Sequence, residues 1–422
     1  MAHLWIVNTR SCNFNCVYCF QGSHKWTWQK EKGLTKTMKP YVIDAMLDWV
    51  PKWVEQSTMP QKEARFTWYG GEPLVNYKLM RYAVPKIYQT LTAKGISNSQ
   101  SITTNGSLIT SDVLDFLELY NFGMLLSLDG PPWIHNKQRV YYGNKPTWDD
   151  INTKLILSRR PMTEIAWQLD PKLKVTFEDV EWMIARGFHR INFNINTITE
   201  WDHNAQYWLT ELLKNVGRAC IQTEKKVRPY KESLRSNMWH KFKQGVRIWT
   251  DPLNINKTRG DKPCGTSVNM LALTPEGWLY PSQEMAFNAC EPNRAPGTME
   301  YYKVGDVSKS PVIDPVAMDR AADIFVSQMI EPEDYNCKNC IARPLSFGGC
   351  HCRYVGQDGV NPAHRHTVTP GWCQKSEAYW NGLMQAAMIE GVLHMKGVDN
   401  GDKRANRRSP GKQVPEPICS AV

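Results

Sequence analysis

The stretch Arg10-Ser11-Cys12-Asn13-Phe14-Asn15-Cys16-Val17-Tyr18-Cys19-Phe20 sets three cysteines at the spacing Cys-x3-Cys-x2-Cys. It follows Leu4-Trp5-Ile6-Val7, an apolar segment that reads as a first strand. Four thiolates are the usual set for a cubane iron–sulfur cluster. Three close together, with no fourth beside them, leave one iron open to an outside ligand. Zinc is the competing reading, but a structural zinc site closes on four ligands, commonly from paired Cys-x2-Cys arms. His3, nine residues before Cys12, is the candidate fourth ligand on that reading. The spacing favours iron–sulfur and leaves zinc open.

At 422 residues the chain has room for one barrel-sized domain and a second, smaller one. No uninterrupted apolar run reaches the roughly 18 residues of a membrane span. The N-terminus lacks the basic-then-apolar pattern of a secretory signal. The expected compartment is therefore the cytoplasm, with no membrane partner. Twelve cysteines without an export signal argue for metal or redox chemistry over a disulfide scaffold. Three lie before residue 20 and five between 337 and 373, while Cys220 and Cys419 stand apart and read as structural or incidental. The net charge of +10 raises nucleic acid as a partner. No RNA-binding signature accompanies it, so a solvated basic surface or attraction to an acidic peptide accounts for the charge as well. Most of the 17 tryptophans are expected in the core, with Trp26 and Trp28, between Lys25 and Lys30, exposed.

From residue 1 to about 225 apolar strands alternate with amphipathic helices, the pattern of a parallel α/β domain. Strands are expected at Leu4–Asn8, Ala64–Tyr69, Ser101–Thr104, Met124–Leu128, Thr163–Leu169 and Arg190–Ile195. Helices are expected at Pro40–Gln56, Tyr77–Ala93, Ser111–Leu119, Trp148–Ser158, Phe177–Ala185 and Ala205–Thr223, making six β/α units. In a parallel barrel the working face lies at the C-terminal strand ends. Three turns fall there. Gly70-Gly71-Glu72-Pro73 allows positive φ and a close approach of backbone to a ligand. Thr104-Asn105-Gly106 and Ser127-Leu128-Asp129-Gly130-Pro131 carry ordinary turn chemistry.

Taken together, these motifs resemble the radical S-adenosylmethionine (SAM) enzymes. The resemblance rests on Cys-x3-Cys-x-aromatic-Cys after the first strand, and on the Gly-Gly-Glu-Pro turn after the second. It implies an open partial (β/α)6 TIM-type barrel, α/β in class. It also implies a [4Fe-4S] cluster on Cys12, Cys16 and Cys19, with SAM chelating the open iron and Tyr18 beside the adenine. Gly70, Gly71, Glu72 and Pro73 would hold the SAM amino group. Ser127 would lie near the methionine carboxylate, with Asn105 close by. The turns after the third and fourth strands, and Ile134-His135-Asn136-Lys137-Gln138-Arg139 after them, are similar to stretches of the members that modify peptides or proteins, including the sulfatase-maturating ones.

After residue 225 the alternation stops. Pro275-Glu276-Gly277 between short apolar runs signals a hairpin. Cys264, Cys337, Cys340, Cys350, Cys352 and Cys373 form a cysteine-rich lobe, for which a zinc knuckle is the plain reading. With the N-terminal triad in the same chain, the lobe resembles the SPASM extension, which binds auxiliary iron–sulfur clusters. Cys264, Gly277, Cys337, Cys340, Cys350 and Cys373 fit that pattern, whereas Ser282 and Ser346 stand where it has cysteines. Cys290 and Cys352 are nearby thiols able to substitute. The readings are two rewired clusters, one cluster on Cys337, Cys340, Cys373 and either Cys350 or Cys352, or a lobe without clusters. At least one auxiliary cluster is expected. In the sulfatase-maturating enzymes an aspartate thought to act as base follows the cysteine replaced here by Ser282. Gln283 holds that position and cannot titrate, which leaves Glu284 as the candidate base.

The division expected is 1–235 for the partial barrel, 236–385 for the SPASM-like lobe and 386–422 for a helix end and basic disordered tail. A final helix is expected at Tyr379–Met395 against the lobe. The expected function is radical modification of a carbon in a ribosomally made peptide or protein, by crosslinking, oxidation or epimerisation. It is supported by an external electron donor of flavodoxin or ferredoxin type. The chain starts almost at the cluster strand, so recognition of a leader peptide would fall to a separate binding protein or to the catalytic surface. The alternatives are a formylglycine-generating sulfatase-maturating enzyme, a SAM dehydrogenase of a small molecule, and a zinc-binding interaction protein.

Overall fold

A computed structural model describes residues 2–19, 33–56, 62–196, 201–229, 233–240, 269–288, 297–327 and 372–391, with Gln21, Lys30, Thr199 and Lys243 as single points. Strand β1 (Ala2–Thr9) buries Leu4 and Ile6 completely and leaves His3 and Trp5 half-buried, the alternation that a pleated strand imposes. On one side it pairs in parallel with β2 (Glu63–Gly70), Leu4 opposite Phe66 and Ile6 opposite Trp68. Beyond β2 come β3 (Ser97–Thr104), β4 (Gly123–Ser127), β5 (Glu164–Leu169) and β6 (Arg190–Ile195), each parallel to the one before. These are the six expected strands, in sequence order.

The sheet is longer than six strands. A two-residue β7 (Arg235–Ser236) adds in parallel to β6. On the far side of β1 lies β8 (Met270–Leu273), also parallel, followed by antiparallel β9 (Trp278–Tyr280) and β10 (Gly305–Asp306). The order is β10-β9-β8-β1-β2-β3-β4-β5-β6-β7, an open run among the described residues. The hairpin signal at Pro275-Glu276-Gly277 is met by β8 and β9, with Gly277 at φ 92°. That β8 docks beside β1 was not legible, because a four-residue apolar run carries no mark of its partner.

The connecting helices are α1 (Pro40–Gln56), α2 (Tyr77–Thr92), α3 (Ser111–Leu119), α4 (Pro132–Gln138), α5 (Thr153–Arg159), α6 (Phe177–Ala185) and α7 (His203–Glu224). Several ends have local causes: Thr110 caps α3, Thr176 and Asp179 form a reciprocal capping box on α6, and Asp202 caps α7. The single helix expected at Trp148–Ser158 is instead a 3-10 turn, Trp148–Asp150, followed by α5. Asn152 makes the break, since its side chain accepts from the Leu155 amide and starts a new helix. α4, with Pro132 in its first turn, was not expected from the sequence.

Short helices α8 (Gln283–Asn288) and α9 (Thr298–Tyr302) lie between β9 and β10, followed by α10 (Pro315–Ser327) and α11 (Trp372–Ile389). α11 starts seven residues before the expected Tyr379 and packs on α7 of the barrel. A Cβ on Gly217 would come within 2.7 Å of the Ala386 methyl, and one on Gly382 within 2.5 Å of the Thr210 carbonyl, so glycines set the helix–helix distance. Tyr379 donates to the Met238 carbonyl at 2.5 Å, and Arg218 pairs with Glu390 at 3.1 Å. Among the described residues, no helix is long and apolar enough to cross a membrane. Trp26, Trp28, Cys264, Cys290, Cys337, Cys340, Ser346, Cys350, Cys352, Cys419 and the tail lie outside the described residues, as does the side chain of Cys373.

Candidate active site

The cysteine loop leaves β1 and is met at once by the turn after β2. Gly70 sits at φ 150°, where a Cβ would fall 2.2 Å from the Thr9 carbonyl oxygen; at Gly71 it would fall 2.3 Å from that of Ser11. The Gly71 amide donates to Thr9 at 2.9 Å and the Glu72 amide to Ser11 at 2.8 Å. The glycine pair thus permits close backbone approach, and the backbone approached is that of the cysteine loop itself.

Cys12, Cys16 and Cys19 form no disulfide and lie half-buried on this loop. The Phe14 amide donates to Cys12 Sγ at 3.4 Å, and Asn105 Nδ2 lies 4.0 Å from the same sulfur. Burial, with the Glu72 charge second, pushes the Cys12 thiol well above its ordinary range. Burial likewise pushes Cys16 up to about 12, and the neighbouring thiols add to both shifts. A bound metal centre would draw all three into the thiolate form. Among the described residues no three Cys, His, Asp or Glu side chains converge as they do around a single ion. The three thiols share one loop at the end of the first strand and could hold a metal centre there. His3 lies at the opposite end of β1, about 20 Å of strand away, and bonds Thr67 at 2.8 Å, so it is no fourth ligand.

Glu72 is buried and joins the turn after β2 to the turn after β3. Its Oε1 accepts from the Leu74 amide and from Thr104 Oγ1 (2.8 Å), and its Oε2 accepts from the Asn105 amide at 2.7 Å. Burial raises its pKa to about 7 in spite of those donors. Asn105 continues the chain of contacts: its Nδ2 donates to Asn13 Oδ1 at 2.9 Å, and its Oδ1 accepts from the Ser107 amide and hydroxyl. Asn13 Nδ2 closes the ring on Ser107 Oγ at 2.8 Å.

The other side of the loop rests on the fourth β/α unit. Tyr18 donates to Asp129 Oδ2 at 2.6 Å, Arg139 Nη2 to Oδ1 at 3.0 Å, and the Gln168 amide to Oδ1 at 2.9 Å. Asp129 is fully buried, and the Arg139 guanidinium lies 5.5 Å from the Tyr18 ring centroid. The Asp129 amide donates to His135 Nδ1, whose other nitrogen meets Thr147 Oγ1 at 3.1 Å. Burial, then Arg139, hold His135 well below the usual imidazole pKa, so it is neutral. Gly130 makes room for this packing, since a Cβ there would strike Trp167 at 2.1 Å. At the loop's entrance, Arg10 pairs with Glu276 of the β8–β9 turn at 3.1 Å, both side chains buried.

Cys12, Cys16, Cys19, Tyr18, Gly70, Gly71, Glu72, Pro73 and Asn105 are thus brought together. Ser127 ends β4 opposite Ala166, two residues before Asp129. Glu284 lies on α8, two residues before Ala286, whose carbonyl accepts from Arg10 Nη1 at 3.5 Å. Ser282 accepts from the Met285 amide at 3.2 Å and so starts α8. The sequence reading left Arg10, Asn13, Ser107, Asp129, Arg139 and Glu276 without roles. Asp129 and Arg139 lay inside quoted motifs, but nothing in the sequence paired them.

Residues 6–152 match the model of the Radical SAM superfamily, and the chain carries a radical SAM domain. That family uses a [4Fe-4S] cluster and SAM. A serine-type anaerobic sulfatase-maturating enzyme of Bacteroides thetaiotaomicron is 30% identical over 139 residues, which is 32% of this chain and 31% of that protein. The chain thus spans about a third of that relative's length. A cysteine-type anaerobic sulfatase-maturating enzyme of Clostridium novyi is 28% identical over 356 residues, 81% of this chain and 85% of that protein. The structure of native anSMEcpe with bound AdoMet and Cp18Cys peptide shares the fold, with a TM-score of 0.65 at 16% identity over 93% of this chain and 99% of that one.

Proposed function

We propose that this protein is a radical SAM enzyme that modifies a side-chain or backbone carbon of a peptide or protein. The observation that carries the reading is the loop of three cysteines outside any disulfide, Cys12, Cys16 and Cys19, at the C-terminal end of the first parallel strand. Bound there, cluster and SAM would supply a carbon radical able to take hydrogen from an unactivated C–H bond. The protein's share is to hold and orient. The cysteines hold the cluster; Gly70, Gly71, Glu72, Pro73, Asn105 and Ser127 orient SAM, with Tyr18 beside it. Asp129 and Arg139 fix the loop from beneath. Cys264, Cys290, Cys337, Cys340, Cys350, Cys352 and Cys373 are the candidate auxiliary ligands in a lobe over residues 236–385, and Glu284 is the candidate base. A peptide substrate is consistent with the peptide bound to anSMEcpe.

Sulfatase maturation is the second reading, favoured by the Clostridium novyi relative, which matches over most of both chains. Gln283 in the position of the family's base weighs against it.

The test is anaerobic reconstitution followed by iron analysis and incubation with SAM and dithionite. The proposal expects 5′-deoxyadenosine, and about four irons per chain lost in the C12A/C16A/C19A variant. Zinc in place of iron would overturn it. A Cys-x-Pro-x-Arg peptide that loses mass would select the sulfatase reading.

A further inference from the structure

Resting on Cys12, Cys16 and Cys19 as cluster ligands, we propose that Asn105 is a positioning residue whose side-chain N–H faces Cys12 Sγ and raises the reduction potential of a cluster held there. This role stands beside the orientation of SAM, which Asn105 serves through its backbone amide on the Glu72 carboxylate at 2.7 Å.

The neighbours of this side chain fix which way its amide faces. The Ser107 backbone N–H can only donate, and it reaches Asn105 Oδ1 at 3.0 Å. The oxygen therefore faces Ser107, and Nδ2 faces the cysteine loop. One Nδ2 hydrogen serves Asn13 Oδ1 at 2.9 Å, which leaves the other for Cys12 Sγ, 4.0 Å away. Ser107 Oγ donates to Asn105 Oδ1 at 2.7 Å and accepts from Asn13 Nδ2 at 2.8 Å, so Asn13 is oriented by the same ring. A flipped Asn105 would set its oxygen against the sulfur and leave the Ser107 N–H facing a donor.

Cys12 thus meets two N–H groups, the Phe14 amide at 3.4 Å and Asn105 Nδ2. Of the two, Asn105 donates from its side chain, so a substitution can remove it. A ligating sulfur carries negative charge, and that charge grows when the cluster takes up an electron. Donors aimed at the sulfur stabilise the reduced form more than the oxidised one, which raises the potential. Asn105 is buried, and burial keeps water from screening its dipole.

The experiment is an anaerobic redox titration of the reconstituted full chain with dithionite and mediators, without SAM. It follows the paramagnetic signal of the reduced cluster that C12A/C16A/C19A lacks, with iron per chain measured alongside. One electron passes from dithionite, and no bond is made or broken. N105A should make reduction about tenfold less favourable, a midpoint about 59 mV lower. N105D keeps an oxygen for the Ser107 N–H but sets a second oxygen where the donor faced the sulfur, so its midpoint should fall further. In S107A the backbone amide still holds Asn105 Oδ1, and the equilibrium should move less than about threefold. A purely structural role for Asn105 predicts the opposite order, with N105D close to the wild type and S107A, which breaks the ring, as damaging as N105A. That order, an unchanged midpoint in N105A, or loss of iron from both Asn105 variants would overturn the proposal. A wild type that takes up no iron would instead overturn the ligand reading beneath it.

Discussion

On one flank of the cysteine loop, Asp129 gathers Tyr18, Arg139 and the Gln168 amide inside neighbouring β/α units. On the other flank Arg10 reaches Glu276, 266 residues further along the chain, with the Thr35 amide on the remaining carboxylate oxygen. Both are buried ion pairs, and burial charges each ion a desolvation cost of several kcal/mol. The first flank offsets it with several donors and an aromatic ring. The second sets the Glu276 carboxylate, the Ala286 carbonyl and the Phe287 ring, its centroid 5.7 Å away, around the Arg10 guanidinium. The first flank is made within the barrel, whereas the second ties the cysteine loop to the C-terminal hairpin and α8 through Arg10.

The largest effect should follow Asp129→Ala, which strands the buried Arg139 charge. Unfolding in urea should show a loss of about 3–5 kcal/mol. A loss under about 1 kcal/mol would mean the convergence on Asp129 is decorative. Glu276→Gln keeps one acceptor oxygen, enough for Arg10 or the Thr35 amide but not both, and should cost less, about 1–3 kcal/mol. If it equalled the Asp129 variant, the contrast between the flanks would be gone. Ser282→Ala removes the side-chain acceptor at the start of α8 and should cost about 1 kcal/mol by thermal melting. No change would show that the serine in the cysteine's place has no capping role.

The last effect is confined to acid pH and lies below both flanks. Burial, then the Arg65 charge, lowers the His3 pKa to about 4 from its ordinary 6.5. Between those values the unfolded chain holds the proton and the folded chain does not, so stability rises with pH from about 4 to 6.5 and is flat above. His3→Gln should lose that rise, read as urea midpoints at pH 4.5 and 7. An unchanged pH profile would return His3 to the list of groups with no energetic part.

Much of the fold was readable because its signals are local. Alternating apolar strands and amphipathic helices located six parallel strands to within a few residues, and the cysteine spacing located the loop between the first strand and helix. Thr110, Thr176 and Asp202 acted as the caps their types suggest. Asn152 shows the limit. Its capping role split an expected helix, since side-chain competition for one amide outweighed the apolar periodicity around it.

What the amino-acid order carried by itself was therefore the thiol triad, the glycine turn against it and the β/α alternation, each set by spacing within a few residues. What folding alone settled were the long pairings: β8 beside β1, α11 on α7, Arg10 with Glu276, and Asp129 with Arg139 and Tyr18. Such partners share no local signature. They are selected because a buried charge or apolar face must find its complement, and only the packed chain shows which complement came within reach.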